Sequence, residues 1–302
     1  MPRSRTYSEL LRAGAAELRS AGIELPRFEA ELLLAEAAGR RREWLIGHGE
    51  VSATPRVAAA YNRMIARRAG HEPLAYITGH REFMSLDFEV TADVLVPRPD
   101  SEMLVEQALV FLAPLLDRRE RHDSPLIVID VGTGTGALAL SIAYYQPAAR
   151  VWAVDISSAA AAVAQRNAMR LGLTSRVKVV TGDLLGATGL PGAGEVDLIL
   201  ANLPYVPAAS LAALAPEVSV FEPRLALDGG EDGLELISRL LPQAAAALAG
   251  HGALGLECDA AQCTLVAERL RQAGFARTEI LPDLAGVPRT VWGYKDGQTA
   301  RG

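Results

Sequence analysis

Only two cysteines, Cys258 and Cys263, occur among 302 residues. That excludes a disulfide-stapled fold and fits reduced thiols in the cytoplasm. Their spacing suits neither a Cys-x-x-Cys redox motif nor a zinc knuckle, and no other set of His, Cys, Asp and Glu has metal-ligand spacing, so no metal site is expected. No apolar run approaches the roughly 18 residues of a membrane-spanning helix, and no membrane association is expected. Nor is a leader expected: Arg3, Arg5, Arg12 and Arg19 are interrupted by Glu9 and Glu17 without an apolar core, a pattern that reads as a surface helix. Positive charge is not in excess. Thirty Lys and Arg against 36 Asp and Glu leave a net charge of −6. This balance argues against a broad electrostatic footprint on nucleic acid, though not against a local basic patch. Gly-x-Ser-x-Gly and Walker loops are both absent. His48, His71, His80, His122 and His251 stand away from the strand ends and read as solvated or structural imidazoles.

What is present is a globular composition, 50% hydrophobic and 22% charged, at a length that allows two domains. Tyr7, Leu10, Leu11, Gly14 and Leu18 fall at helical spacing before Gly22. Pro26 opens a second helix that ends at Gly39, and Thr54-Pro55 caps a third that runs to Gly70. Residues 1–78 are therefore expected to form a small helical domain. The period changes over Glu82–Val96, where Phe83, Leu86, Phe88, Val90, Val94 and Val96 predict a β-hairpin turning at Ala92-Asp93. Asp100 is expected to cap a following helix, and Arg118 to Ser124 to form a polar linker, so that 79–124 connects two domains. From 125 to 302 strands alternate with helices: strands at 126–131, 151–155, 177–181, 196–201, 253–257, 277–281 and 290–294, helices at 136–145, 158–171, 233–249 and 260–273. That alternation implies an α/β, Rossmann-like domain on a mostly parallel sheet.

Ligands of such sheets bind beyond the carboxyl ends of the strands. Gly132-Thr133-Gly134-Thr135-Gly136 stands there after the first strand, with glycines that let the backbone approach a ligand closely. Asp155 ends the second strand, where a carboxylate can accept both ribose hydroxyls of an adenosine. Asp183 follows the third, within reach of an adenine amino group, and Leu184 can pack on the ring. Gly132-x-Gly134-x-x-Ala137 also fits a dinucleotide fingerprint, so a NAD-dependent oxidoreductase is the rival reading. After the fourth strand comes Asn202-Leu203-Pro204-Tyr205. The Asn202 carboxamide oxygen and the Leu203 carbonyl can each accept one N–H bond of a planar NH2 group, with the Tyr205 ring covering the plane. A strand ending in an X-Pro turn would explain these residues alone. Together with the glycine loop and Asp183 they favour S-adenosyl-L-methionine and methyl transfer to an amino nitrogen.

These features resemble the bacterial protein-(glutamine-N5) methyltransferases that modify the Gly-Gly-Gln loop of peptide-chain release factors. The blocks Glu72-Pro73-Leu74-Ala75-Tyr76-Ile77-Thr78-Gly79, Pro97-Arg98-Pro99-Asp100-Ser101-Glu102, Gln165-Arg166-Asn167-Ala168, Phe221-Glu222-Pro223 and Asp283-Leu284-Ala285-Gly286 carry the likeness beside the two motifs above. The resemblance implies a helical N-terminal domain, a β-hairpin linker and a seven-stranded S-adenosylmethionine-dependent domain, in a cytoplasmic monomer whose partner is a release factor rather than a specific nucleic acid. One departure is Leu203, where the family usually has Pro. The backbone carbonyl remains and a locked φ is lost. Glu217, Phe221 and Glu222 follow the motif and are expected to form a peptide-binding lip; otherwise Glu222 is a surface carboxylate. The same grip on an NH2 group fits a ribosomal-protein glutamine or the N6 of adenine, and a non-catalytic cofactor-binding scaffold is the remaining alternative.

Overall fold

The structure, a computed structural model, describes residues 5–119, 124–283 and 285–295. It divides into two compact units, one taking the chain up to His80 together with Ala215–Phe221, the other Arg81–Leu214 and the chain from Glu222 onward. The helical unit contains α1 (Tyr7–Ser20), α2 (Pro26–Ala38), α3 (Arg42–Gly47), α4 (Pro55–Ala69) and α5 (Leu74–Thr78). Local chemistry sets their ends. Thr6 and Glu9 close a capping box on α1, Thr54 accepts from the Val57 N–H, and Gly39 takes the left-handed conformation that stops α2. Leu10, Leu18, Leu33, Leu34, Tyr61 and Ile65 form its core. Neither α3 nor α5 has a side-chain cap, and neither is expected from the sequence.

The second unit begins with a hairpin, β1 (His80–Phe83) and β2 (Leu86–Glu89). Its turn is at Met84-Ser85, not at the expected Ala92-Asp93. Both turn residues have positive φ, 50° and 58°, the pairing a two-residue hairpin turn requires. Asp100 does not cap a helix either. Pro99–Ser101 forms a 3-10 turn that runs directly into α6 (Glu102–Arg119). Most of the expected linker at 118–124 lies outside the described residues, and its first two residues still belong to α6.

Then follow β3 (Leu126–Val131), α7 (Ala137–Tyr145), β4 (Ala149–Asp155), α8 (Ser158–Arg170), β5 (Val177–Thr181) and β6 (Val196–Ala201). A single turn, α9 (Pro216–Ser219), belongs to the helical unit. α10 (Glu235–Ala247), β7 (Leu248–Glu257), α11 (Cys263–Gln272), β8 (Arg277–Pro282) and β9 (Pro288–Tyr294) complete the chain. The seven strands are ordered β5-β4-β3-β6-β7-β9-β8, the first five mutually parallel and β9 antiparallel to both of its neighbours, β7 and β8. One face packs on α6, α7 and α8 through Leu104, Leu112, Leu138, Ile142 and Ala168, the other on α10 and α11 through Ile237, Leu240, Val266 and Leu270. Strands buried on both faces read as near-continuous apolar runs, as β3 and β6 do. The order reverses between β3 and β6, which is where a crevice opens at the strands' carboxyl ends.

Candidate active site

A cleft in the sheet-bearing unit opens at that reversal. Gly132, Thr133, Gly134, Thr135, Asp155, Asp183, Leu184, Asn202, Leu203 and Pro204 all line it. The glycine loop is tied down from below by two carboxylates. Asp155 at the end of β4 accepts from the Gly134 N–H at 2.8 Å and the Ser157 N–H at 2.9 Å. Burial raises its pKa, and these two N–H groups oppose the rise. Asp130, on β3 and fully enclosed, accepts from the Thr133 hydroxyl at 2.6 Å and the Ala139 N–H at 3.2 Å. Its other oxygen has no partner, and burial pushes its pKa up to about 7. Sequence reasoning passed over Asp130, although a carboxylate in an apolar strand directly before a glycine loop was the available signal.

Gly132 has φ +76°, and a Cβ there would stand 3.0 Å from Leu203 Cδ2. The two ligand-facing turns thus come close, and the positive φ favours glycine at this position. Gly136 is not among the lining residues; it precedes α7, where a Cβ would meet Leu140 at 2.9 Å. Asn167 of α8, wholly buried, donates to the carbonyls of Thr135 and Glu89 and accepts from the Glu89 N–H. One carboxamide therefore joins the glycine loop to the hairpin. Asp183 stands at the rim, paired with Arg239, while Leu184 is buried with φ +50°.

The Asn202 end of the cleft is more tightly organised than its sequence implies. Asn202 follows β6 in the register that sets Ala201 beside Leu256 of β7. Its Nδ2 donates to the Ser101 hydroxyl at 3.0 Å. Ser101 in turn donates to Glu257 Oε2 at 2.5 Å, and the Tyr205 hydroxyl donates to Glu257 Oε1 at 3.4 Å. Ser101 and Glu257 are both buried, and burial raises the Glu257 pKa against the hydrogen bond from Ser101 and the charge of Arg289. The backbone beyond is pinned too: Gln262 Nε2 donates to the Tyr205 carbonyl at 2.9 Å. Arg98 and Ser101 line the cleft although neither was singled out as a site residue.

The residues expected to form a lip, Glu217, Phe221 and Glu222, fall to both units. Glu217 and Phe221 belong to the helical unit, where Glu217 lies 3.1 Å from both Arg68 and His71. Glu222 belongs to the sheet-bearing unit and is no surface carboxylate. It is 6% exposed, accepts from Arg98 at 2.6 Å and from the Val96 N–H at 3.4 Å, and so braces the segment that carries Ser101. The two thiols, Cys258 and Cys263, are buried 3.5 Å apart.

Residues 9–79 match the PrmC N-terminal domain family, and residues 128–221 a methyltransferase domain family. Across 292 residues the chain is 44% identical to the release factor glutamine methyltransferase of Moorella thermoacetica, covering 96% of this chain and 99% of that one. Over 270 residues it is 42% identical to the protein of the same name from Bordetella pertussis, covering 89% and 95%. The chain belongs to the release factor glutamine methyltransferase family. It is accordingly a protein-(glutamine-N5) methyltransferase on a seven-stranded methyltransferase fold with a helical N-terminal domain and a hairpin. The catalytic domain of hMettl16, solved with a MAT2A 3′UTR hairpin, superposes with a TM-score of 0.57 at 14% identity over 78% of this chain and 84% of that one, a likeness of fold alone. Among the described residues no helix is long and apolar enough to cross a membrane.

Proposed function

We propose that the chain transfers a methyl group from S-adenosyl-L-methionine to the side-chain amide nitrogen of the glutamine in the Gly-Gly-Gln loop of a peptide-chain release factor. The observation that carries the reading is the Asn202 carboxamide at the cleft, its NH2 engaged by Ser101 and its oxygen left for a ligand, next to the Leu203 carbonyl. Family membership supports the choice of substrate.

The residues present fit the cofactor. Asp155 presents a carboxylate to the cleft where a ribose diol can donate to it, Gly132 and Gly134 leave the loop backbone bare, and Leu184 and Ile156 offer apolar surface for a base. S-adenosylmethionine supplies, when bound, a methyl on cationic sulfur; the amide nitrogen takes it with its lone pair while the carbon–sulfur electron pair returns to sulfur. Asn202 Oδ1 and the Leu203 carbonyl accept the two N–H bonds and aim the nitrogen. They also stabilise the positive charge that grows on it, which an amide lone pair delocalised into its carbonyl otherwise resists. Holding the nitrogen in line can supply roughly 7–11 kcal/mol in the best cases. The methylated nitrogen then gives its proton to water, so no strong base is required. Tyr205 and Pro204 exclude water from the amide. The helical domain up to about residue 78 recognises the protein substrate. The enzyme acts as a cytoplasmic monomer, with no membrane and no sequence-specific nucleic acid.

The test is transfer of tritiated methyl from S-adenosylmethionine to purified release factors, ribosomes and DNA, with the modified residue mapped by mass spectrometry. Label on a release-factor glutamine is expected. Label on a ribosomal protein or on adenine, with none on the factor, would overturn the substrate assignment.

A further inference from the structure

We propose that Ser101 and Glu257 are positioning residues that select which way round the Asn202 carboxamide faces the substrate, and so make it an acceptor rather than a donor. The proposal rests on the amide-methylation reading above.

A carboxamide has an oxygen that only accepts and an NH2 that only donates, and the two are nearly the same size. Turned one way, Asn202 offers oxygen to the substrate amide. Turned the other, it sets one NH2 against another and the glutamine cannot dock. Packing does not distinguish the two states, so hydrogen bonding must. Glu257, when ionised, can only accept. It is 2% exposed and takes one bond on each oxygen, from Ser101 at 2.5 Å and Tyr205 at 3.4 Å. Ser101 has a single hydroxyl proton, and that proton is committed to Glu257. Its oxygen is left with lone pairs alone, so it can only receive. The Asn202 atom 3.0 Å from it must therefore be the nitrogen. The order Glu257, Ser101, Asn202 is a one-way relay of hydrogen-bond polarity that ends with Oδ1 at the cleft.

The fold makes the relay rigid. Glu257 ends β7 directly after Leu256, which pairs with Ala201, so the carboxylate lies beside Asn202 across the sheet. Ser101 ends the 3-10 turn at the head of α6 and is 4% exposed. Arg98, three residues before it, is tied to the buried Glu222. The groups facing Glu257 are Ser101 and Asp100 from that turn, Tyr205 from the loop after β6, and Arg289 from β9, the one cation among them. Glu257 also receives the Tyr205 hydroxyl, so one carboxylate orders two of the four residues in the Asn-Leu-Pro-Tyr turn.

The experiment is single-turnover methyl transfer to a release factor by the full chain, in a double-mutant cycle. Ser101→Ala should slow transfer roughly three- to tenfold, the scale of one neutral hydrogen bond. S-adenosylmethionine affinity should be unchanged. Ser101→Thr, which keeps the hydroxyl, should recover most of the rate. Glu257→Gln keeps the shape but offers one acceptor oxygen instead of two, and should also slow transfer. In an Asn202→Ala background, Ser101→Ala should slow the reaction by no more than about twofold, because there is no carboxamide left to orient, and Glu257→Gln should keep only the share of its loss that comes through Tyr205. Equal losses in both backgrounds would overturn the proposal, as would wild-type rates in Ser101→Ala. A wild-type enzyme that methylates no glutamine would instead defeat the amide reading itself. Should Ser101→Ala fail to fold, a smaller loss for Glu257→Gln in the Asn202→Ala background than with Asn202 present carries the same comparison, and equal losses overturn the proposal.

Discussion

Replacing Asp155 by Ala separates two roles that one carboxylate plays. Toward the cleft, it is placed to accept hydroxyl donors from the cofactor ribose. Hydrogen bonds to a charged group are worth about 1.5–3 kcal/mol, so Kd for S-adenosylmethionine should rise roughly 10- to 150-fold. Toward the protein, Asp155 accepts from the Gly134 and Ser157 N–H groups at 2.8 and 2.9 Å. Removing it strands both donors, at about 1–3 kcal/mol each if they stayed dry. The side chain lines an open cleft, however, and water can enter the vacated space. Relief of the carboxylate's own desolvation offsets part of the loss as well. A net destabilisation of about 1–2 kcal/mol is the expected balance. Asp155→Asn discriminates further. Its amide has one accepting oxygen, so either Gly134 or Ser157 must face an NH2, and the loop should suffer in stability as much as in affinity. Isothermal titration with S-adenosylmethionine, beside urea unfolding of the ligand-free proteins, measures both quantities. A Kd unchanged within twofold in Asp155→Ala would refute the ribose contact, whatever happened to stability.

Asn202→Ala should lower kcat on the order of 100- to 1000-fold, by analogy with loss of one preorganised oxyanion partner, with a smaller change in cofactor affinity; near-normal single-turnover transfer would remove the mechanism. Leu203→Pro keeps the carbonyl and should change kcat less than about tenfold. Because Leu203 is 4% exposed and packs in the core under α10, that substitution should lose about 1–3 kcal/mol of stability, read by urea unfolding. Asp130 should make the ligand-free protein less stable as pH rises. Its proton is held up to about 7 when folded and released near 3.8 when unfolded, so the folded state binds more protons in that window. Stability therefore falls from about pH 4 to 7 and levels off above; Asp130→Asn should flatten the slope of Tm against pH, and an unaltered slope would exclude Asp130 as its source. A chain beginning at Arg81 should keep cofactor affinity and lose turnover on an intact release factor, and full activity there would sink the recognition role of the helical domain.

The elements most readable in the sequence were those with a chemical marker at an end. Thr54-Pro55 marks α4, Gly39 ends α2, and the buried strands β3 and β6 are plain apolar runs. The hairpin turn was legible only in part. Met84 and Ser85 take positive φ without the Asn-Gly or Asp-Gly pair that advertises it, whereas Ala92-Asp93 looks like a turn and joins no strands. α3 has six residues and no side-chain cap, too short for its periodicity to register. In the cleft, the glycine loop, Asp155 and Asn202 stood out because each follows a strand. Ser101 and Glu257 did not, since they are 156 positions apart and only the sheet register joins them. Glu217 and Glu222 show the converse. Both are acidic residues near the motif, yet each is engaged by an arginine of its own unit.

The Asn167 carboxamide gives the cleft a remote reporter. It binds the Thr135 carbonyl on one side and both backbone groups of Glu89 on the other. Any excursion that frees the Glu89 amide to solvent must first release this carboxamide, and with it the strap behind the glycine loop. A ligand that binds only the closed loop suppresses that excursion by the factor 1 + [L]/Kd, which at a hundredfold excess over Kd is about 2.7 kcal/mol. The exchange rate of one hairpin amide should then titrate with cofactor concentration and trace the same isotherm as binding itself. Glu89 would be a spectator of the chemistry whose proton nonetheless records, residue-specifically, how often the cofactor end of the cleft is occupied.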